Sequence, residues 1–262
     1  MRSRESHAVV LGTRDMGESD LLVELLVRDA GRIVGVAKAA KKSKRRFVNT
    51  FDLGHVIRVK YYLPRGRELF LIEDASLLNP HGRLTYDLHS MAYAAYVIEL
   101  IRELFPEAQR STDLFETAAL LLSLLDERGG RENLLWLFVL RILKISGIAP
   151  MFSACVRCQS PVINTAGVFF VPEAGGLVCG ACLMPRDRTV VLARATVTAL
   201  AAATEATTDR LSRIALSPAA ISQTREALFS FIDHQLGKRM RSADFIERYI
   251  RLADRPGSPI NR

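Results

Sequence analysis

The sequence predicts an α+β protein of more than one domain, with a five-stranded N-terminal barrel of OB type followed by a helical bundle domain that carries an inserted four-cysteine zinc motif. Three observations carry that reading. Five short apolar runs, each closed by turn residues, fill the first 80 residues. From about residue 86 the hydrophobic spacing changes from the period of a strand to that of a helix. All four cysteines fall in two Cys-x2-Cys pairs. The expected organisation is therefore a barrel at 1–80, a helical domain at 81–252 with a zinc-binding insertion at 151–185, and a disordered tail at 253–262.

The strands follow in order. "HAVVLG" is a short apolar run ended by glycine. "DLLVELLVRDAG" continues into "GRIVGVAKAA" through Asp29, Ala30 and Gly31, a hairpin signal. The period of "DLLVELLV" also suits a helix. In "HVIRVKYYL" the residues Ile57, Val59 and Tyr61 alternate with Val56, Arg58 and Lys60, the pattern of a half-buried strand. "PRGR" then turns the chain into "ELFLIEDASLL", the fifth strand. Five short strands in so little chain fit an OB barrel.

The helices begin with "LHSMAYAAYVIELIRELF", which is free of glycine and proline until Pro106. Asp113 and Glu116 have capping-box spacing ahead of a run that stops at Gly129 and Gly130. "RENLLWLFVLRILKISG" ends at Gly147, with Pro150 beyond. These three are apolar enough to pack on one another. "ARATVTALAAATEA" is a further helix, and Ser217 with Pro218 is an N-cap and N1 pair opening another.

A formal net charge of +8 and a pI near 9.6 favour a polyanionic partner. No N-terminal apolar stretch reads as a signal peptide, and the longest apolar run, Leu134 to Leu140, is too short to span a bilayer. A cytoplasmic, nucleoid-associated protein is expected. In a reducing compartment the paired cysteines argue for metal rather than disulfides. Cys155, Cys158, Cys179 and Cys182 would complete a tetrahedron around one Zn2+, leaving no open position for substrate, so the ion would be structural. The alternatives are a redox pair or incidental free thiols.

The segment "KAAKKSKRRF" at 38–47 holds Lys38, Lys41, Lys42, Lys44, Arg45 and Arg46. The first 80 residues carry fifteen Lys and Arg against ten Asp and Glu, so most of the excess charge lies where the barrel would be. OB barrels bind single strands with a positive groove and aromatic platforms. The six cations are candidate DNA-binding residues, and Phe47 and Tyr62 are candidates for stacking on bases. A lipid surface or simple solvation would also suit such a run. Lys238, Arg239 and Arg241 form a second basic cluster, which either extends the track or complements a helix C-terminus.

Catalytic signatures are missing: no phosphate-binding glycine loop, no nucleophile elbow, and five histidines without ligand spacing. The chain reads as a non-enzymatic binder. One rival reading is a zinc-ribbon interaction module of a transcription or RNA-binding complex. Another is a zinc or redox enzyme, which would need an open ligand position or a reactive thiol pair.

Several segments together resemble the RecO family of bacterial recombination mediators. They are "GESDLLVELLVRDAGRIVGVAKAAKKSKRRF", "YAAYVIELIRELFPE", "LFETAALLLSLL", and "SGIAPMFSACVRC" with "FFVPEAGGLVCGAC", spanning roughly residues 5–250. Where the family often has glycine after the lysine of the third strand, this chain has Ala39 and Ala40. The resemblance implies binding of single- and double-stranded DNA and annealing of complementary strands. It also implies partnership with RecR and with the C-terminal tail of single-stranded-DNA-binding protein, so that RecA loads at gaps in DNA repair and recombination.

Overall fold

The computed structural model describes residues 3–161 and 168–253. Five strands close a barrel: β1 (Arg4–Met16), β2 (Asp20–Val27), β3 (Gly31–Ala37), β4 (Val56–Tyr62) and β5 (Phe70–Asn79). Their order around the barrel is β1-β2-β3-β5-β4, antiparallel except where β3 meets β5, and β1 closes on β4. That is the OB arrangement the turn signals predict. Every second residue points inward: Val23, Leu25 and Val27 from β2, and Ile57, Val59 and Tyr61 from β4, are all buried in the barrel core. The ambiguous run "DLLVELLV" is a strand throughout.

Among the described residues, no α-helix caps the barrel between β3 and β4. Ala40, Phe47 and Phe51 turn into the core there instead, with the two phenylalanine rings 5.3 Å apart. This corrects one expectation. Phe47 is only 5% exposed, so its ring offers no face to a base.

Two helices follow, α1 (Leu88–Leu104) and α2 (Thr112–Arg128). The Asp87 side chain caps α1 by accepting from Ser90 N. The cap of α2 is Ser111, whose hydroxyl accepts from Leu114 N, and Asp113 lies inside the first turn. Ser111 takes the cap because its backbone is extended while residue 113 is already helical. The chain divides into two compact units after Gly130, so α1 and α2 belong with the barrel. Arg28 pairs with Glu116 at 2.8 Å, Arg102 with Glu24 at 2.9 Å, and Ala108 N donates to Arg32 O at 2.8 Å. The composition change near residue 81 thus separates strands from helices without separating the compact units.

The second unit begins with α3 (Glu132–Ile145). It continues with a small sheet of β6 (Val168–Val171), β7 (Gly176–Cys179) and β8 (Val190–Val191), in the order β7-β6-β8. Then come α4 (Arg194–Glu205), the short α5 (Thr208–Leu211), α6 (Pro218–Leu236) and α7 (Arg241–Ala253). Ser217 caps α6 as its sequence predicts. Trp136 of α3 meets Phe229 of α6 edge to face at 4.9 Å. The Phe170 ring lies against both Phe152 and Phe231. Beyond Ala253, the expected tail lies outside the described residues. Among the described residues, no helix is long and apolar enough to cross a membrane.

Candidate nucleic-acid interface and metal centre

The basic segment is a loop tied down at both ends. Ala39 takes a left-handed conformation (φ 55°, ψ 28°) and its N–H donates to Asp20 Oδ1 at 2.7 Å. That N–H, acting against burial and helped by Ser19 and the nearby lysines, holds the Asp20 carboxyl below the usual carboxylate range. Lys41 N donates to Ser19 O at 3.0 Å, and Lys41 Nζ reaches both Gly17 O at 3.1 Å and Asp15 at 3.0 Å. The Gly17–Asp20 turn is therefore the socket for the start of the loop. At the other end Arg46 donates to Lys38 O at 2.9 Å and lies over the Phe47 ring at 4.9 Å, while Ala75 N donates to Arg46 O at 3.0 Å.

These anchors sort the six cations. Lys41 and Arg46 are spent on the protein itself. Lys42, Lys44 and Arg45 are exposed and, among the described residues, have no ion pair or hydrogen-bond partner for their side chains. Lys38 is exposed beside Asp20. Tyr62 is half-buried and lines a surface cavity of about 730 Å³ together with Lys38 and Arg67. Reasoning from sequence passes over Arg65 and Arg67; their position in the loop joining two barrel strands is the available signal.

An alanine in the left-handed region carries strain of roughly 1–2 kcal/mol that glycine avoids. Glycine's extra freedom when unfolded takes back part of that. Ala39→Gly is therefore expected to stabilise the protein by up to ~1 kcal/mol, a rise in Tm of about 2–4 °C. A lowered Tm would mean that the loop does not hold this conformation.

In the second basic cluster Lys238 and Arg241 are exposed, whereas Arg239 is engaged by the fold. The Arg239 guanidinium meets Asp233 at 2.6 Å, Asp244 at 3.0 Å and Glu247 at 2.7 Å, and it lies over the Phe229 ring at 4.9 Å. Lys238 and Arg241 also have partners. Arg239 ties the end of α6 to α7, which leaves it no free edge for phosphate.

The four cysteines converge. Their sulfurs all lie within 4.8 Å of one another, and Cys158 and Cys179 are 3.8 Å apart. At Zn–S distances of 2.3 Å a tetrahedral site has edges of roughly 3.8 Å. A disulfide would bring two sulfurs to ~2.0 Å, and all four cysteines are free. Met151 N donates to Gly175 O and Leu177 N to Met151 O, both at 3.0 Å, while Val156 N donates to Leu177 O at 2.8 Å. The first pair is thus laced to β7, which ends at Cys179. Gly176 permits that approach, since a Cβ there would sit 2.5 Å from Met151 O.

Arg157, inside the first pair, forks onto Asp187 with two 2.7 Å bonds and also donates to Cys182 O at 2.6 Å. Asp187 in turn accepts from Met184 N at 2.7 Å. This clamp fixes the two pairs against each other, as outer hydrogen bonds do around metal ligands. Spacing along the sequence does not reveal it, because the partners are 30 residues apart. Burial opposes ionisation of Cys155, but N–H groups of Cys179, Cys158 and Arg157 outweigh it and bring that thiol down to about 6. The adjacent Cys179 and Cys158 sulfurs push Cys182 up to about 12. Four cysteine sulfurs at this spacing could hold a metal ion, and the donor set fits a soft-ligand metal.

Comparison with known proteins agrees with this architecture. Residues 1–81 match the family described as Recombination protein O N terminal, and residues 85–244 match Recombination protein O C terminal. A DNA repair protein RecO from Anaeromyxobacter sp. (strain K) is 33% identical over 239 residues, 91% of this chain and 94% of that protein. DNA repair protein RecO of Myxococcus xanthus (strain DK1622) is 31% identical over 246 residues, covering 94% and 98% of the two chains. The protein of that name from Syntrophus aciditrophicus (strain SB) is 28% identical over 257 residues, covering 96% and 99%.

Proposed function

Because the chain belongs to the RecO family of DNA repair proteins, we propose that it is a non-enzymatic mediator that binds single- and double-stranded DNA and anneals complementary strands. With RecR, and by engaging the tail of single-stranded-DNA-binding protein, it would let RecA load on covered single strands at the nucleoid. The observation that carries the DNA-binding part is the loop geometry. Lys42, Lys44 and Arg45 project unpaired from a segment whose two ends are anchored to the barrel. A pre-ordered cation set loses little entropy on meeting a phosphate backbone. Annealing brings two polyanions together, and cations held between them lower that repulsion.

One Zn2+ held by Cys155, Cys158, Cys179 and Cys182 would be structural. With all four positions filled by protein, the ion joins the two pairs and leaves no site for substrate.

The test is annealing of two complementary labelled oligonucleotides across salt, for the wild type and a Lys42→Ala, Lys44→Ala, Arg45→Ala variant. Lys41 and Arg46 stay in place because removing them would dismantle the loop. Three lost contacts should reduce the magnitude of the slope of log K against log salt by about 2, and affinity near 0.1 M salt by on the order of 100-fold. Wild-type acceleration that falls with salt and is lost in the variant, with Tm unchanged, is the expected result. A wild type that does not speed annealing would overturn the proposal.

A further inference from the structure

The four sulfurs of the cysteine centre are not equally reachable. Cys155 is 0% and Cys179 5% exposed, whereas Cys158 stands open to solvent and Cys182 is intermediate. The local backbone makes this difference. Cys155 N donates to Ser160 O and Gln159 N to Cys155 O, both at 2.9 Å, which curls the first pair into a tight turn with Gln159 at φ 61°. Val156 N bonds to Leu177 O at 2.8 Å, so the Cys155 side of the turn is held on β7. Cys158 lies at the other side, beside the exposed Gln159 and Ser160. The buried Cys155 Sγ also accepts from Cys179 N at 3.4 Å, which engages a lone pair that an attacking sulfur would use.

The exposed sulfur has a neighbour in the other pair. Cys158 Sγ lies 3.8 Å from Cys179 Sγ, so the solvent-facing thiol of the first pair and a buried thiol of the second are in contact. Arg157, the cation inside the first pair, is forked onto Asp187, which balances its charge. Cysteine oxidation follows thiolate character and exposure, and a second cysteine poised beside the exposed one turns the product into a disulfide. As metal ligands all four cysteines are thiolates. Cys158 alone combines that state with an open face and a partner in contact across the pairs.

Resting on the zinc reading above, we propose that Cys158 is an oxidation site for hydrogen peroxide, with Cys179 as its resolving partner, and that their bridge releases the metal reversibly. The Cys158 thiolate attacks one peroxide oxygen: an S–O bond forms, the O–O bond breaks and hydroxide leaves. The Cys179 thiolate then attacks the resulting sulfenic sulfur: the S–S bond forms, the S–O bond breaks and a second hydroxide leaves. Two protons from solvent turn both hydroxides into water. Each sulfur gives up one electron and peroxide takes both. The bridge consumes one ligand from each pair, and Cys155 with Cys182 alone cannot complete a tetrahedron. Because it joins the two pairs, it keeps them together while the ion is away, and a reducing thiol reopens it.

The probe is hydrogen peroxide, one equivalent per zinc-loaded chain, read by a zinc-indicator dye and by peptide mass. The dye should report release of the ion, and dithiothreitol with added zinc should restore the loaded form. Trypsin separates Cys155, on residues 145–157, from Cys158, Cys179 and Cys182, on residues 158–186. The oxidised protein should yield 158–186 lighter by two hydrogens, with fragmentation placing the bridge between Cys158 and Cys179, and 145–157 with a free thiol. Cys158→His keeps four ligands in a usual zinc set and should slow peroxide-driven release by about 10-fold or more, since the exposed thiolate is gone. Cys182→His keeps both reacting sulfurs and should release like the wild type. Zinc retained under peroxide, a bridge other than Cys158–Cys179, or equal release from Cys158→His and wild type would overturn the proposal and leave the structural zinc standing. Should Cys158→His fail to load zinc, the bridge mapped in the wild type decides. A wild type that takes up no zinc would overturn both readings.

Discussion

Serine in place of Cys155 or Cys179 is expected to strip the metal from the protein and unfold the segment around it. Both cysteines are buried, at 0% and 5% exposure, and each belongs to a different pair, so either loss leaves three ligands and one weak oxygen. Without the ion, the Arg157–Asp187 fork and the few bonds from Met151 and Val156 to residues 175–177 are what remains to hold the pairs together. Structural zinc contributes ~10–16 kcal/mol of binding free energy in small zinc domains, comparable to the whole stability of an ordinary domain, roughly 5–15 kcal/mol. Elemental analysis should find one zinc per wild-type chain and little in the variants. The variants should lose the cooperative unfolding transition of the second unit, and a chelator should do the same to the wild type. Acid should release the ion as well, because the ligands bind as thiolates. If neither protein contained metal and both melted alike, the four cysteines would be packing as thiols and the zinc reading would fall.

The cysteine quartet was legible because its information is local: two short spacings carry nearly all of it. The barrel was legible for a related reason, since the alternation of Ile57, Val59 and Tyr61 with Arg58 and Lys60 is written along one strand. What escaped depends on partners far along the chain. Counting charges at 38–46 gives six equal cations. The division into spent and free ones is made by Asp15 and Gly17, more than twenty residues upstream, and by the Lys38 carbonyl. Phe47 looked like a stacking ring because nothing local reveals that the barrel end between β3 and β4 lacks an α-helix and needs filling. Arg239 resembled a surface cation until the fold brought Asp233, Asp244 and Glu247 around it. Sequence shows what each residue can do, and the fold decides which of those capacities are already used.

A glycine at the β2–β3 turn gives the sharpest test of how the barrel is joined to α1 and α2. Gly31 sits at φ 75°, and a Cβ there would lie 2.0 Å from Gln109 O, 2.5 Å from its carbonyl carbon and 3.1 Å from Arg110 N. All three are backbone atoms, so no side-chain rotation relieves the clash. The chain after α1 passes this close because Ala108 N bonds to Arg32 O and residues 32 and 107 form a parallel bridge. Gly31→Ala must therefore open that seam as well as strain its own backbone. The expected loss is roughly 3 kcal/mol or more, a fall in Tm on the order of 6–12 °C. Gly66→Ala is the control. At φ 72° it carries similar backbone strain, but nothing lies within 4 Å of its Cβ, so its cost should stay near ~1 kcal/mol. The difference between the two variants measures the clash alone, free of the strain they share. Equal Tm losses would mean that the chain near Gln109 does not lie against the turn, and the attachment of the helices to the barrel would have to be redrawn.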